Sequence, residues 1–149
     1  KRCWQHYQIS EKKEKKMKIV LDTNVVISAV FFGGEPRKIL EAVLQKEFDA
    51  FATTEIVEEY QEIVDEMIDR KQGKLRKDIL FPLIKSLNII TAKSIVKICR
   101  DPDDNKFLGC AKDSGALYIV SGDKDLLVLK KFENIEIITS REFCNKYLR

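Results

Sequence analysis

Ile19-Val20-Leu21-Asp22-Thr23-Asn24 is an apolar run that ends on an acid and passes directly into a helical pattern. It reads as a buried strand that carries Asp22 to its carboxyl end. Far along the chain Leu117-Tyr118-Ile119-Val120 reads the same way, and Ser121-Gly122-Asp123 is the turn that leaves it. Two strands then bring carboxylates to one rim of a sheet, and in open parallel sheets ligands bind along that rim.

Outward from these two strands, helical patterns cover 25–31 and, beyond the Gly33-Gly34 break, a stretch opened by Glu35-Pro36, with Pro36 suited to a first turn. A short strand over 48–53 precedes a long helix over 55–71 that Thr54 is placed to cap. Gly73 punctuates before a helix over 75–87, where Pro82 predicts a kink or break. A strand over 88–91, a helical segment before Asp101-Pro102, a helix over 102–114 stopped by Gly115, a strand over 135–138 and a last helix capped by Ser140 complete the order. Strands alternating with helices imply an α/β fold with a parallel sheet covered on both faces.

The 149 residues, 44% hydrophobic and 34% charged, suit one compact domain with a proper core. No apolar stretch approaches the roughly 18 residues of a membrane span. The cysteines at 3, 99, 110 and 144 form no C-x-x-C pair, and the single histidine, His6, lies near Cys3 alone, which argues against a zinc site or a disulfide framework and for reduced thiols in a cytoplasmic protein. Cys110 is expected in the core. Residues 1–16, from Lys1-Arg2-Cys3-Trp4 to Lys15-Lys16, lack the pattern of the rest and read as a basic leader, leaving 17–149 as the domain.

Further acids join the two at the rim. On the long helix Ile56, Val57, Tyr60, Ile63, Val64, Met67 and Ile68 form one stripe, and Glu59 lies closer to it than the neighbouring acids. In Asp101-Pro102-Asp103-Asp104-Asn105, Asp101 suits an N-cap and Pro102 the first turn, while Asp104 shares the inward face of Phe107, Leu108 and Ala111. Asp22, Glu59, Asp104 and Asp123 are therefore the candidate site. Gathered carboxylates repel one another unless a cation neutralises them, and an all-oxygen set selects Mg²⁺ or Mn²⁺ over zinc or copper.

With these residues in place, the stretch from 17 to 148 resembles a PIN domain. The resemblance rests on Ile19 to Asn24, on Thr54 to Val64 with Glu59-Tyr60, on Arg100-Asp101-Pro102-Asp103-Asp104-Asn105-Lys106-Phe107-Leu108, and on Val120-Ser121-Gly122-Asp123-Lys124-Asp125-Leu126. It is nearest to the prokaryotic branch labelled as toxin components of toxin–antitoxin pairs. It implies a three-layer α/β/α sandwich with a central parallel sheet and Mg²⁺- or Mn²⁺-dependent ribonuclease activity. By position, the family acids fall on Asp22, Glu59, Asp104 and Asp123. Asn24 and Ser121 take polar positions that would bind substrate, while Asp101, Asp103 and Asp125 leave the ligand set ambiguous. RNA is the implied partner, with an antitoxin protein and a homodimer as further expectations.

Lys71, Lys74, Arg76, Lys77, Lys106, Lys112, Lys124, Lys130 and Lys131 are candidates to track an RNA backbone, whereas Phe31, Phe32, Phe51 and Phe107 read as core. The rival reading is a non-catalytic PIN-like module that binds RNA or protein, and within the enzyme class a housekeeping RNA-processing nuclease competes with a toxin. A haloacid-dehalogenase-type phosphatase would need a second aspartate where Asn24 stands. A receiver domain would need its acids elsewhere, and serine-hydrolase chemistry has only His6 to draw on.

Overall fold

A computed structural model describes residues 16–70 and 79–148. The leader up to residue 15, the start of the helix expected over 75–87, and Lys71, Lys74, Arg76 and Lys77 lie outside the described residues. The chain runs β1 (Lys18–Leu21), α1 (Thr23–Phe31), α2 (Gly34–Leu44), β2 (Asp49–Ala52), α3 (Thr54–Arg70), α4 (Leu80–Ser86) and β3 (Asn88–Ile89). A 3₁₀ turn (Pro102–Asp104), α5 (Asn105–Ser114), β4 (Tyr118–Val120), α6 (Lys124–Leu127), β5 (Lys131–Phe132), β6 (Ile135–Ile138) and α7 (Ser140–Tyr147) follow.

Among the described residues six strands form one sheet in the order β3-β2-β1-β4-β6-β5. All neighbours are parallel except β5 and β6. From β1 the chain steps outward through β2 to β3, then returns across the sheet to β4. Right-handed crossovers place the helices of those opposite steps on opposite faces. In agreement, α1 packs on α2 and α3, and α2 on α4 and α7, while α5 lies across β1, β2 and β4. The result is the expected α/β/α sandwich.

The reversal falls between β1 and β4, where Val20 pairs with Ile119 and Leu21 with Val120. That register sets Asp22 beside Ser121, and the Asp22 N–H donates to the Val120 carbonyl at 2.9 Å. Ile19, Val20, Leu21, Ile119 and Val120 are fully buried. A strand buried on both faces reads as an unbroken apolar run, and truncating Leu21 to alanine should cost about 2–5 kcal/mol.

Several local expectations shift in the structure. The cap of α3 is Thr53, whose hydroxyl accepts the Ile56 N–H, rather than Thr54. The cap of α7 is Thr139, which forms a reciprocal pair with Glu142, rather than Ser140. Pro82 falls in the first turn of α4, where its missing N–H has no intrahelical partner to lose. Gly115 ends α5 in the left-handed conformation, as expected.

The helical segment expected before Asp101 is absent. Residues 91–98 take no regular structure, because side chains of α5 hold their backbone. Asp113 Oδ2 accepts the N–H groups of Lys93 and Ser94, and Asn105 Oδ1 those of Ile98 and Cys99. Phe107 and Cys110 are core residues, but Phe32 is 73% exposed. No helix among the described residues is long and apolar enough to cross a membrane.

Candidate metal centre

The first acid is fixed by the end of its own strand. Asp22 is extended, caps α1, and accepts the Thr23 N–H on Oδ1 at 2.7 Å. Its other oxygen accepts the Ser121 hydroxyl at 2.6 Å. One residue back, the Leu21 carbonyl accepts the Tyr60 hydroxyl at 2.5 Å, so α3 is pinned to the same strand end.

The end of β4 supplies the second. Ser121 is fully buried, and its oxygen also accepts the Asp123 N–H at 2.9 Å. Its hydroxyl thus orients two acids. Asn24 Oδ1 accepts the Gly122 N–H at 3.2 Å and closes the two turns on each other. Asp123 caps α6 through the Asp125 N–H at 2.9 Å, which turns Asp125 toward the same place.

The third acid comes from the 3₁₀ turn. Asp101 caps that turn through the Asp103 N–H; Asp101 and Asp103 are exposed while Asp104 is buried. Oδ2 of Asp104 is buried without a hydrogen-bond partner among the described residues. Asp104, Asp123 and Asp125 each offer a carboxylate oxygen, and the three oxygens lie within 4.8 Å of one another. Asp22 and Glu59 fall outside this tight group, but Asp22, Glu59 and Asp123 line one cavity of about 400 Å³ together with Thr23 and Asn24.

The electrostatics follow from this crowding. Burial, and then the Asp123 charge, raise the Asp104 carboxyl to about 7. Burial raises Asp22 to about 6 against the hydrogen bonds from Ser121 and Thr23, with Asp123 and Glu59 adding to the rise. Even the Cys99 thiol is pushed up to about 11, by burial and then by Asp104 and Asp123. A buried carboxylate oxygen without a donor, set among like charges and without histidine or thiolate, fits a hard divalent cation such as Mg²⁺ or Mn²⁺.

Glu59 is held differently. Its Oε2 accepts the Thr23 hydroxyl, and Lys106 Nζ lies 2.6 Å from Oε1. The Lys106 side chain is only 11% exposed and faces inward onto Glu59. Lys112 pairs with Glu133 at 3.0 Å. The sequence pattern did not reveal the Thr23 and Lys106 contacts, although Thr23 directly follows Asp22 and Lys106 lies two residues after Asp104.

The family described as PIN domain matches residues 18–125 of this chain, and the chain belongs to the PIN-domain family. It is also similar to the uncharacterized protein MJ1680 of Methanocaldococcus jannaschii, 36% identical over 157 aligned residues that take in 92% of this chain and 96% of that protein. The fold is thus of a nuclease type, and its acidic cluster is compatible with a metal site.

Proposed function

We propose that the protein is a Mg²⁺- or Mn²⁺-dependent endoribonuclease that hydrolyses single-stranded RNA, its catalytic unit spanning residues 17–149. The observation that carries this reading is the unpartnered, buried Oδ2 of Asp104 within reach of Asp123 and Asp125. Asp104 and Asp123 would hold the cation, with Asp125 and Asp22 beside them. When bound, the ion would neutralise the carboxylates, stabilise charge on the phosphoryl oxygens and acidify the attacking water.

The chain's own residues provide the geometry. Ser121 aligns Asp22 with Asp123 through one hydroxyl. Glu59, fixed by Thr23 and Lys106 on the lining of the cavity, orients the water. Asn24 lines the same cavity and is the polar side chain offered to RNA. Water oxygen bonds to phosphorus as the bond from phosphorus to the 3′ oxygen breaks, and a proton ends on that 3′ oxygen. The products are a 5′-phosphate and a 3′-hydroxyl. Direct end-group analysis of cleaved RNA tests this, and a 2′,3′-cyclic phosphate as primary product contradicts it.

Family membership supports the nuclease reading over a non-catalytic module, because the acids of the resemblance are all present. In a toxin role the enzyme would work in the cytoplasm as a homodimer silenced by an antitoxin. A neighbouring gene whose product binds the protein and blocks cleavage would support that role over RNA processing.

A further inference from the structure

Glu59 has both carboxylate oxygens engaged, one by Thr23 and one by Lys106. It stands apart from the group formed by Asp104, Asp123 and Asp125. Lys106 is held within the protein too. Its ammonium lies 2.6 Å from Glu59 Oε1 and 3.5 Å from Asp103 Oδ1, and donates to the Asp103 carbonyl at 3.0 Å. It also sits 5.4 Å from the centre of the Phe107 ring. The ammonium is therefore held chiefly by Glu59 and the Asp103 carbonyl, with the exposed Asp103 carboxylate further off.

We propose that Lys106 is a positioning residue, whose ion pair keeps Glu59 out of the cation-binding carboxylate group and aimed at the cavity where water is activated. Lys106 lies in the first turn of α5 and Glu59 sits on α3, so the pair joins helices from opposite sides of the sheet edge, beside the turn that carries Asp104. Burial acts to lower the Lys106 pKa, and the hydrogen bond and charge of Glu59 outweigh it. The fixed positive charge also reduces the net negative charge of the rim. Its removal releases Glu59 toward the cation and strengthens attraction for it, while taking away the aim of the water-orienting carboxylate.

The inference rests on the ribonuclease reading for the role of Glu59, but cation affinity tests it separately. Mn²⁺ binding by calorimetry and RNA cleavage kinetics are measured for the native protein, Lys106→Met and Lys106→Arg, with folding checked by thermal melting. Lys106→Met should bind Mn²⁺ about fivefold tighter through loss of one opposing charge. Its kcat should fall about 30-fold with KM within about twofold, and Lys106→Arg should recover part of kcat. Unchanged or weaker Mn²⁺ binding by folded Lys106→Met overturns the proposal, as does a raised KM with kcat retained, which marks a phosphate contact. If the native protein cuts no RNA, the ribonuclease reading fails while the Mn²⁺ comparison still decides the lysine.

Should Lys106→Met not fold, NMR of lysine-labelled native protein and Glu59→Gln decides. The Lys106 ammonium signal should move in Glu59→Gln and stay in place when a non-cleavable oligonucleotide is added. Movement on adding the oligonucleotide overturns the proposal.

Discussion

The Ser121 hydroxyl donates to Asp22 Oδ2 at 2.6 Å although 99 residues separate the two in sequence. The contact arises from register: Leu21 pairs with Val120, so the next residue of each strand meets its neighbour where the chain order reverses. The same oxygen accepts the Asp123 N–H, so one small side chain sets the direction of two acids.

Ser121→Ala should therefore harm stability and activity together. Losing a buried hydrogen bond to a carboxylate costs about 1.5–3 kcal/mol, readable as a lower urea midpoint with unchanged slope. Mn²⁺ affinity should also fall, because Asp22 and Asp123 lose their common reference.

Metal-free protein should lose stability as pH rises. Asp22 and Asp104 are raised from 3.8 to about 6 and about 7, so between about pH 4 and pH 7 the folded state holds more protons than the unfolded one. Their contribution is fully present below about pH 4 and is lost through that window; for Asp22 alone the loss is about 3 kcal/mol. Thermal melting in chelator across this range checks the fall, and saturating Mn²⁺ should reduce or reverse it by binding the carboxylate form.

Asp104→Asn should separate stability from function. The amide keeps the shape and removes one of the repelling charges, so the metal-free variant should melt higher than the native protein at pH 8. Its Mn²⁺ affinity should drop at least about tenfold, since a carboxylate donor to a hard cation is gone. Parallel melting and calorimetry check both.

Tyr60→Phe probes the scaffold beneath the site. The hydroxyl is buried against the Leu21 carbonyl at 2.5 Å, so its removal should cost about 1 kcal/mol or somewhat more in urea unfolding. Mn²⁺ affinity should change less than in Ser121→Ala, because no acid loses a direct partner.

What the sequence displayed, and what it hid, divides along the range of the interactions. Asp22 is legible because it ends a run of consecutive buried residues, Asp123 because it sits in the turn that leaves another, and Asp104 because α5 has a clear inward face. The caps at Thr53 and Thr139 were each placed one residue late, since adjacent Thr-Thr and Thr-Ser pairs offer the same chemistry. The segment before Asp101 looked helical because its controlling partners, Asn105 and Asp113, lie further along the chain. Strand β5 has two residues, too few for any period to register. Asp125 in the carboxylate group and Lys106 against Glu59 depend on how separate turns and helices meet, which spacing along one element does not encode.

The most direct test of the account is cleavage of labelled single-stranded RNA by purified protein with Mg²⁺, Mn²⁺ or EDTA, beside an Asp22→Asn variant verified as folded by melting. Cleavage should require the cation and be lost in the folded variant. Cleavage that persists in EDTA or in Asp22→Asn, or native protein that binds Mn²⁺ and cuts nothing, would contradict it.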